Sequence, residues 1–172
     1  EAKKTLFTPA HSRCGVVCID DEWGLRLAQE SEVPVTTVSV FSHREADWTV
    51  RRINFDRAIP AVTFDLLTPQ GNERLIRMPM LGEVNVQNAV VALVAALQLG
   101  CEFEAAVAAL EGAEQIPGRM TSVNPDPGAQ PLVIVDFAHT PEGLDWTLKS
   151  VRELTRGKLV LVFGTDGDRD AT

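Results

Sequence analysis

The chain has 172 residues, of which 45% are apolar and 23% charged, an ordinary globular mixture long enough for one domain or for pieces of two. Its 16 Lys and Arg stand against 24 Asp and Glu, a net charge of -8 that argues against a general nucleic-acid surface. Anions can still be bound locally, at glycine loops and helix N-termini.

Glu1 to Phe7 reads as the end of a helix, closed by Thr8-Pro9. Gly15 to Ile19 is a short apolar run, expected as a buried strand. Asp20-Asp21 follows and can cap a helix over Glu22 to Gln29. Val33 to Val40 is rich in Val and Thr and reads as a second strand, so the order suggests a parallel sheet. Trp48 to Phe55, Ala61 to Thr68 and Arg74 to Met80 alternate with turn residues and predict an antiparallel meander attached to that α/β body. Asn85 to Leu99 predicts a long helix ended by Gly100, and Glu104 to Leu110 a short one. After Ile116-Pro117-Gly118 and a Pro- and Gly-containing turn, Leu132 to Phe137 is expected as a buried strand. Thr140 and Pro141 then open a helix running to about Leu154, and Leu159 to Phe163 predicts another buried strand.

No signal peptide or membrane-spanning helix is read. The longest apolar stretch, Val84 to Gly100, is broken by Asn85, Gln87, Asn88 and Gln98, and a span needs about 20 mostly apolar residues. Cys14, Cys18 and Cys101 are odd in number, form no C-x-x-C pair, and accompany three scattered histidines. Buried thiols in a reducing cytoplasm are therefore expected, rather than disulfides or a zinc site.

Three clusters can carry chemistry. In V-D-F-A-H-T-P (Val135 to Pro141), Asp136 and His139 stand where a strand gives way to a helix, the end of an α/β sheet at which ligands gather. Asp136 can accept from a ribose hydroxyl and His139 can donate to a phosphate; a cap and a turn residue are the plainer alternative. In F-G-T-D-G-D-R-D (Phe163 to Asp170), Arg169 can grip a carboxylate or phosphate, or merely pair with Asp168 and Asp170. In G-E-V-N-V-Q-N (Gly82 to Asn88), Asn85 and Asn88 share a helix face and can read the edge of a base, unless Asn85 only caps the helix.

Taken together, E-A-K-K-T-L-F, I-D-D-E-W-G, G-E-V-N-V-Q-N-A before an Ala-rich helix, P-G-R-M, V-D-F-A-H-T-P and F-G-T-D-G-D-R-D, in this order and over essentially the whole chain, resemble the Mur ligases. The resemblance is greatest to the branch that adds the third peptide residue to a UDP-muramoyl dipeptide. Another branch of the family, such as the D-alanyl-D-alanine-adding ligase, a folylpolyglutamate synthetase and a non-catalytic nucleotide-binding module are the alternatives.

The resemblance implies an α/β architecture. Residues 1–118 would form the C-terminal half of a P-loop-type ATPase (central) domain with a small antiparallel β segment, and residues 119–172 the start of a Rossmann-like C-terminal domain. The family's phosphate-binding loop would lie upstream; no G-x-x-x-x-G-K-[ST] occurs in this sequence, so the isolated piece is expected to be inactive. The implied activity is a cytoplasmic amide ligase using ATP and Mg2+, with UDP-N-acetylmuramoyl-L-Ala-D-Glu and either diaminopimelate or lysine as substrates, no nucleic-acid partner and no membrane insertion. By the same resemblance Lys3 is the lysine that becomes a carbamate and holds magnesium, and Asn85 and Asn88 line the adenine pocket. Arg119 lies near the ATP phosphates, Asp136 and His139 reach the nucleotide, and Arg169 holds the incoming amino acid's carboxylate. Asp166 departs from the usual glycine of the last motif and Thr165 from a small residue or cysteine, which puts the loop's specificity in doubt.

Overall fold

The computed structural model describes residues 2–42, 44–56, 61–123 and 131–164. After a 3-10 turn at Lys4–Phe7 come strand β1 (Gly15–Cys18), helix α1 (Glu22–Glu30), and strands β2 (Val35–Ser39), β3 (Trp48–Asp56), β4 (Ala61–Leu67) and β5 (Glu73–Met78). Helices α2 (Glu83–Gln98) and α3 (Phe103–Glu111), strands β6 (Thr121–Ser122) and β7 (Ile134–Val135), and helix α4 (Pro141–Leu154) follow.

The expected meander and the parallel strands form one sheet, ordered β1-β2-β3-β4-β5. The first three strands run parallel and the last three antiparallel. The parallel step from β2 to β3 is made by residues 40–47 alone, far less chain than the dozen residues such a connection usually needs. It suffices because the strands overlap only at Val38–Trp48 and Ser39–Thr49, so the chain need not retrace a whole strand. The loop is tied at its far end by Asp47, whose carboxylate accepts from the Thr37 amide (2.7 Å) and hydroxyl (2.8 Å).

Strand β4 shows the period-two pattern that fixes register: Val62, Phe64 and Leu66 are buried, while the residues between them are half-buried. Helix α2 lays Val86, Ala89, Val90, Leu93 and Val94 against that layer, and Val107 of α3 joins them. At about 1.5–3 kcal/mol for each large apolar side chain buried, this layer is the main source of stability.

Helix α1 is capped by Asp21, whose carboxylate accepts from the Gly24 amide at 2.6 Å; Asp20 does not cap but turns back to the 39–42 segment. Gly82 precedes α2 with φ of 89°, a conformation that disfavours a side chain. Thr140 caps α4, accepting from the Gly143 amide, with Pro141 in the first turn as expected.

Three expectations are corrected. The segment read as a buried strand over Leu132 to Phe137 contains only the two-residue β7, paired antiparallel with β6, and Leu132, Val133, Val135 and Phe137 are exposed. No strand forms over Leu159 to Phe163, and Val160, Leu161, Val162 and Phe163 are exposed. An apolar run becomes a parallel strand only when neighbouring strands satisfy its backbone, and no described residue pairs with it. The cysteines are not buried thiols either, since Cys14 and Cys101 are exposed and Cys18 is half-buried.

Candidate functional site

A cleft of about 550 Å3 opens between the N-terminal end of α2, the loop after β2, the β7–α4 turn and α4 itself. That volume falls within the usual range for a small-molecule site. Asn85, Asn88, Arg119 and Asp136, widely separated in sequence, all line it.

Asn85 is buried but is not a helix cap. Its carboxamide nitrogen donates to the Leu81 carbonyl at 2.7 Å and to the Arg119 carbonyl at 3.3 Å, which ties α2 to the 116–120 turn. Asn88, one turn further on, is exposed in the cleft. Arg119 is exposed on the rim, its guanidinium carbon 5.3 Å from the centre of the Phe137 ring, a cation–π arrangement. Asp136 is half-buried and serves the architecture. One oxygen accepts from the Met120 amide at 2.9 Å, and the other from the Ala138 amide at 2.8 Å and the Thr147 hydroxyl at 3.1 Å. One carboxylate therefore joins the 116–120 turn, the end of β7 and helix α4.

His139 is exposed and is not among the residues lining the cleft. Its Nδ1 lies 3.0 Å from the Phe137 carbonyl oxygen, and its ring meets the Phe137 ring edge-on at 5.0 Å. Lys3 is exposed and also stands apart from the cleft. Its neighbour Lys4 is engaged by Glu30 at 3.0 Å, so Lys3 is the one of the two without an ion pair among the described residues. Arg169, with Asp166 and the rest of the last motif from Thr165 onward, lies outside the described residues.

Several contributors were not singled out by motif. Phe41 and Trp146 meet across the cleft with ring centres 5.5 Å apart, joining the loop after β2 to α4. Ser42, Gln87 and Thr147 line it too. Beside them sit Asp20 and Cys18. Burial pushes the Asp20 carboxyl upward, but hydrogen bonds from the Ser42 amide, Cys18 and the Val40 amide outweigh it and bring its pKa to about 2. For Cys18 burial dominates, and the thiol rises to about 11.

The lining suits a nucleotide. Phe41, Val84, Met120 and Trp146 offer apolar surface to a planar base, the two carboxamides offer edge contacts, and Arg119 offers a guanidinium to phosphate oxygens. No group of three His, Cys, Asp or Glu side chains is placed for a metal among the described residues, and Lys3 alone does not make one.

Residues 1–96 match the family model of the Mur ligase middle domain, and residues 118–172 match that of the Mur ligase glutamate ligase domain. The chain belongs to the Mur ligase family. It is 41% identical to the UDP-N-acetylmuramyl-tripeptide synthetase of Leifsonia xyli, over 99% of this chain and 33% of that protein. It is 38% identical to the UDP-N-acetylmuramoyl-L-alanyl-D-glutamate–2,6-diaminopimelate ligase of Streptomyces coelicolor, over 100% and 33%. A solved structure of a ligase with that same description superposes with a TM-score of 0.70 at 32% identity, covering 98% of this chain and 34% of the other. The chain thus spans about a third of the length of the curated relatives it matches. No helix among the described residues is long and apolar enough to cross a membrane.

Proposed function

We propose that the protein carrying this segment is a cytoplasmic, ATP- and magnesium-dependent amide ligase of peptidoglycan precursor synthesis. It adds diaminopimelate or lysine to UDP-N-acetylmuramoyl-L-Ala-D-Glu, and the cleft beside α2 holds its nucleotide. The observation that carries this reading is the convergence of Asn85, Asn88, Arg119 and Asp136 on one cleft. The names of the relatives support the choice of substrate.

ATP supplies the phosphoryl group that turns the substrate carboxylate into an acyl phosphate, which an amino acid's amine converts to an amide with loss of phosphate. Catalysis of this kind consists mainly of positioning and charge stabilisation. Asn88 and the free oxygen of Asn85 hold the adenine edge. Arg119, set on the Phe137 ring, neutralises phosphate oxygens. Asp136 acts by fixing the turn that carries Arg119, since its own oxygens are occupied by Met120, Ala138 and Thr147.

The roles of His139 as a catalytic group, of Lys3 as a magnesium-holding carbamate and of Arg169 as the amino-acid grip rest on the family resemblance. For Lys3 its exposure is consistent with that role, because a lysine must be accessible to take up carbon dioxide. A division near Gly118–Arg119 into central and C-terminal domains is part of the same proposal, supported by the bounds of the two family matches. The 172-residue chain alone is proposed to be inactive, as its sequence holds no phosphate-binding loop.

The test is phosphate release by the full-length protein with UDP-N-acetylmuramoyl-L-Ala-D-Glu, ATP and magnesium, offering diaminopimelate and lysine separately. Release that depends on one of them is expected. Folded protein that releases phosphate with neither contradicts the proposal.

A further inference from the structure

Asp20 follows β1 and reaches beneath the start of the loop that joins β2 to β3. Its carboxylate accepts from the amides of Val40 (3.0 Å to each oxygen), Phe41 (3.2 Å) and Ser42 (3.1 Å). It also accepts from the hydroxyls of Ser39 (3.0 Å) and Ser42 (2.9 Å). On its other side the Cys18 thiol donates at 3.2 Å, and the Gln87 carboxamide approaches at 3.5 Å. A carboxylate has about four lone-pair sites, so these donors occupy it fully and leave nothing for a metal, a base or a nucleophile.

What Asp20 can do, it does through the residues it holds. Phe41 and Ser42 line the cleft, and Phe41 is the ring that meets Trp146 of α4. Gln87 lies on α2 immediately before Asn88 and also donates to the Cys18 sulfur at 3.0 Å. Further along the loop Arg44 donates to the Ile19 and Asp21 carbonyls, while at the start of the loop Asp20 is the acceptor shared by residues 39–42.

We infer that Asp20 is a positioning residue of the cleft: by gathering the donors of residues 39–42 it fixes Phe41 and Ser42 as the wall facing Asn88 and Trp146. This rests on the reading of the cleft as a nucleotide site. An asparagine at position 20 would keep one neutral, weaker accepting oxygen for the 39–42 donors and set an amide donor against the Val40 N–H and the Gln87 carboxamide, so the wall would loosen while the sheet stayed paired.

The test uses the full-length ligase and titrates a non-hydrolysable ATP analogue into wild type, Asp20→Asn, Phe41→Leu and the double variant. Asp20→Asn is expected to weaken binding about 10-fold, and much less when Phe41 is already Leu, because the effect travels through that ring. In turnover the loss falls on KM for ATP rather than on kcat. Val38→Ala, which removes core volume from the adjacent strand, controls for general destabilisation and binds as wild type does. Unchanged binding by Asp20→Asn, additivity with Phe41→Leu, or equal weakening by Val38→Ala each overturns the inference while leaving the nucleotide site standing. Wild type that does not bind the analogue overturns both.

Discussion

Asp20 and Cys18 are near neighbours that burial pushes the same way, upward, yet they end far apart because only Asp20 collects enough hydrogen-bond donors to reverse the push. The carboxylate collects enough donors to stay ionised down to about pH 2, whereas the thiol, facing that negative charge in a half-buried place, holds its proton up to about pH 11. The sign for Cys18 is that of a raised pKa: the neutral form persists below about 11, and the reactive thiolate grows only as pH climbs toward that value. At neutral pH it is therefore roughly 100-fold less thiolate than an ordinary cysteine. Mass-spectrometric mapping of iodoacetamide adducts on native protein should therefore find Cys14 and Cys101, both exposed, labelled well before Cys18. Cys18 modified as fast as the other two would mean that its hydrogen bonds to Asp20 and from Gln87 do not persist in solution.

At the scale of elements, a tight packing constraint lies where α1 crosses the end of β1. A Cβ built on Gly24 would lie 1.9 Å from the Cys18 carbonyl oxygen, so the glycine of I-D-D-E-W-G is a close-approach residue. Gly24→Ala should displace α1 and cost about 1–3 kcal/mol, read as a lower thermal midpoint of the full-length protein. Gly157→Ala, with open space at its Cβ, should leave the midpoint unchanged. Equal midpoints for both variants would remove the packing argument.

The elements up to Gly100, and helix α4, were legible in the sequence because their signals are local: Asp21 and Thr140 cap helices, and β4 alternates. The runs at 132–137 and 159–163 were misread because apolar composition does not by itself bury a strand; Val162 is 90% exposed. Of the candidate site, Asn85, Asn88, Arg119 and Asp136 were visible in motifs. Phe41, Ser42, Trp146 and Thr147 were not, since only tertiary folding brings the loop after β2 to α4. Asp20 was visible only as half of an acidic pair, its role hidden in contacts some twenty residues away.

Across the whole molecule, one cleft gathers the start of α2, the 116–120 turn, the loop after β2 and α4; Asn85 ties α2 to the turn, Asp136 ties the turn to α4, and Phe41 meets Trp146 from the loop. The proposal that this cleft is the nucleotide site rests on its apolar lining and on the Arg119 guanidinium at its rim. The most direct measurement is photolabelling of the full-length protein with an azido-adenine analogue of ATP, with and without excess ATP, followed by peptide mapping. The account predicts ATP-protected labels on peptides carrying Asn85–Asn88 or Trp146. Protected labels confined to peptides outside residues 82–88 and 141–150 would contradict it.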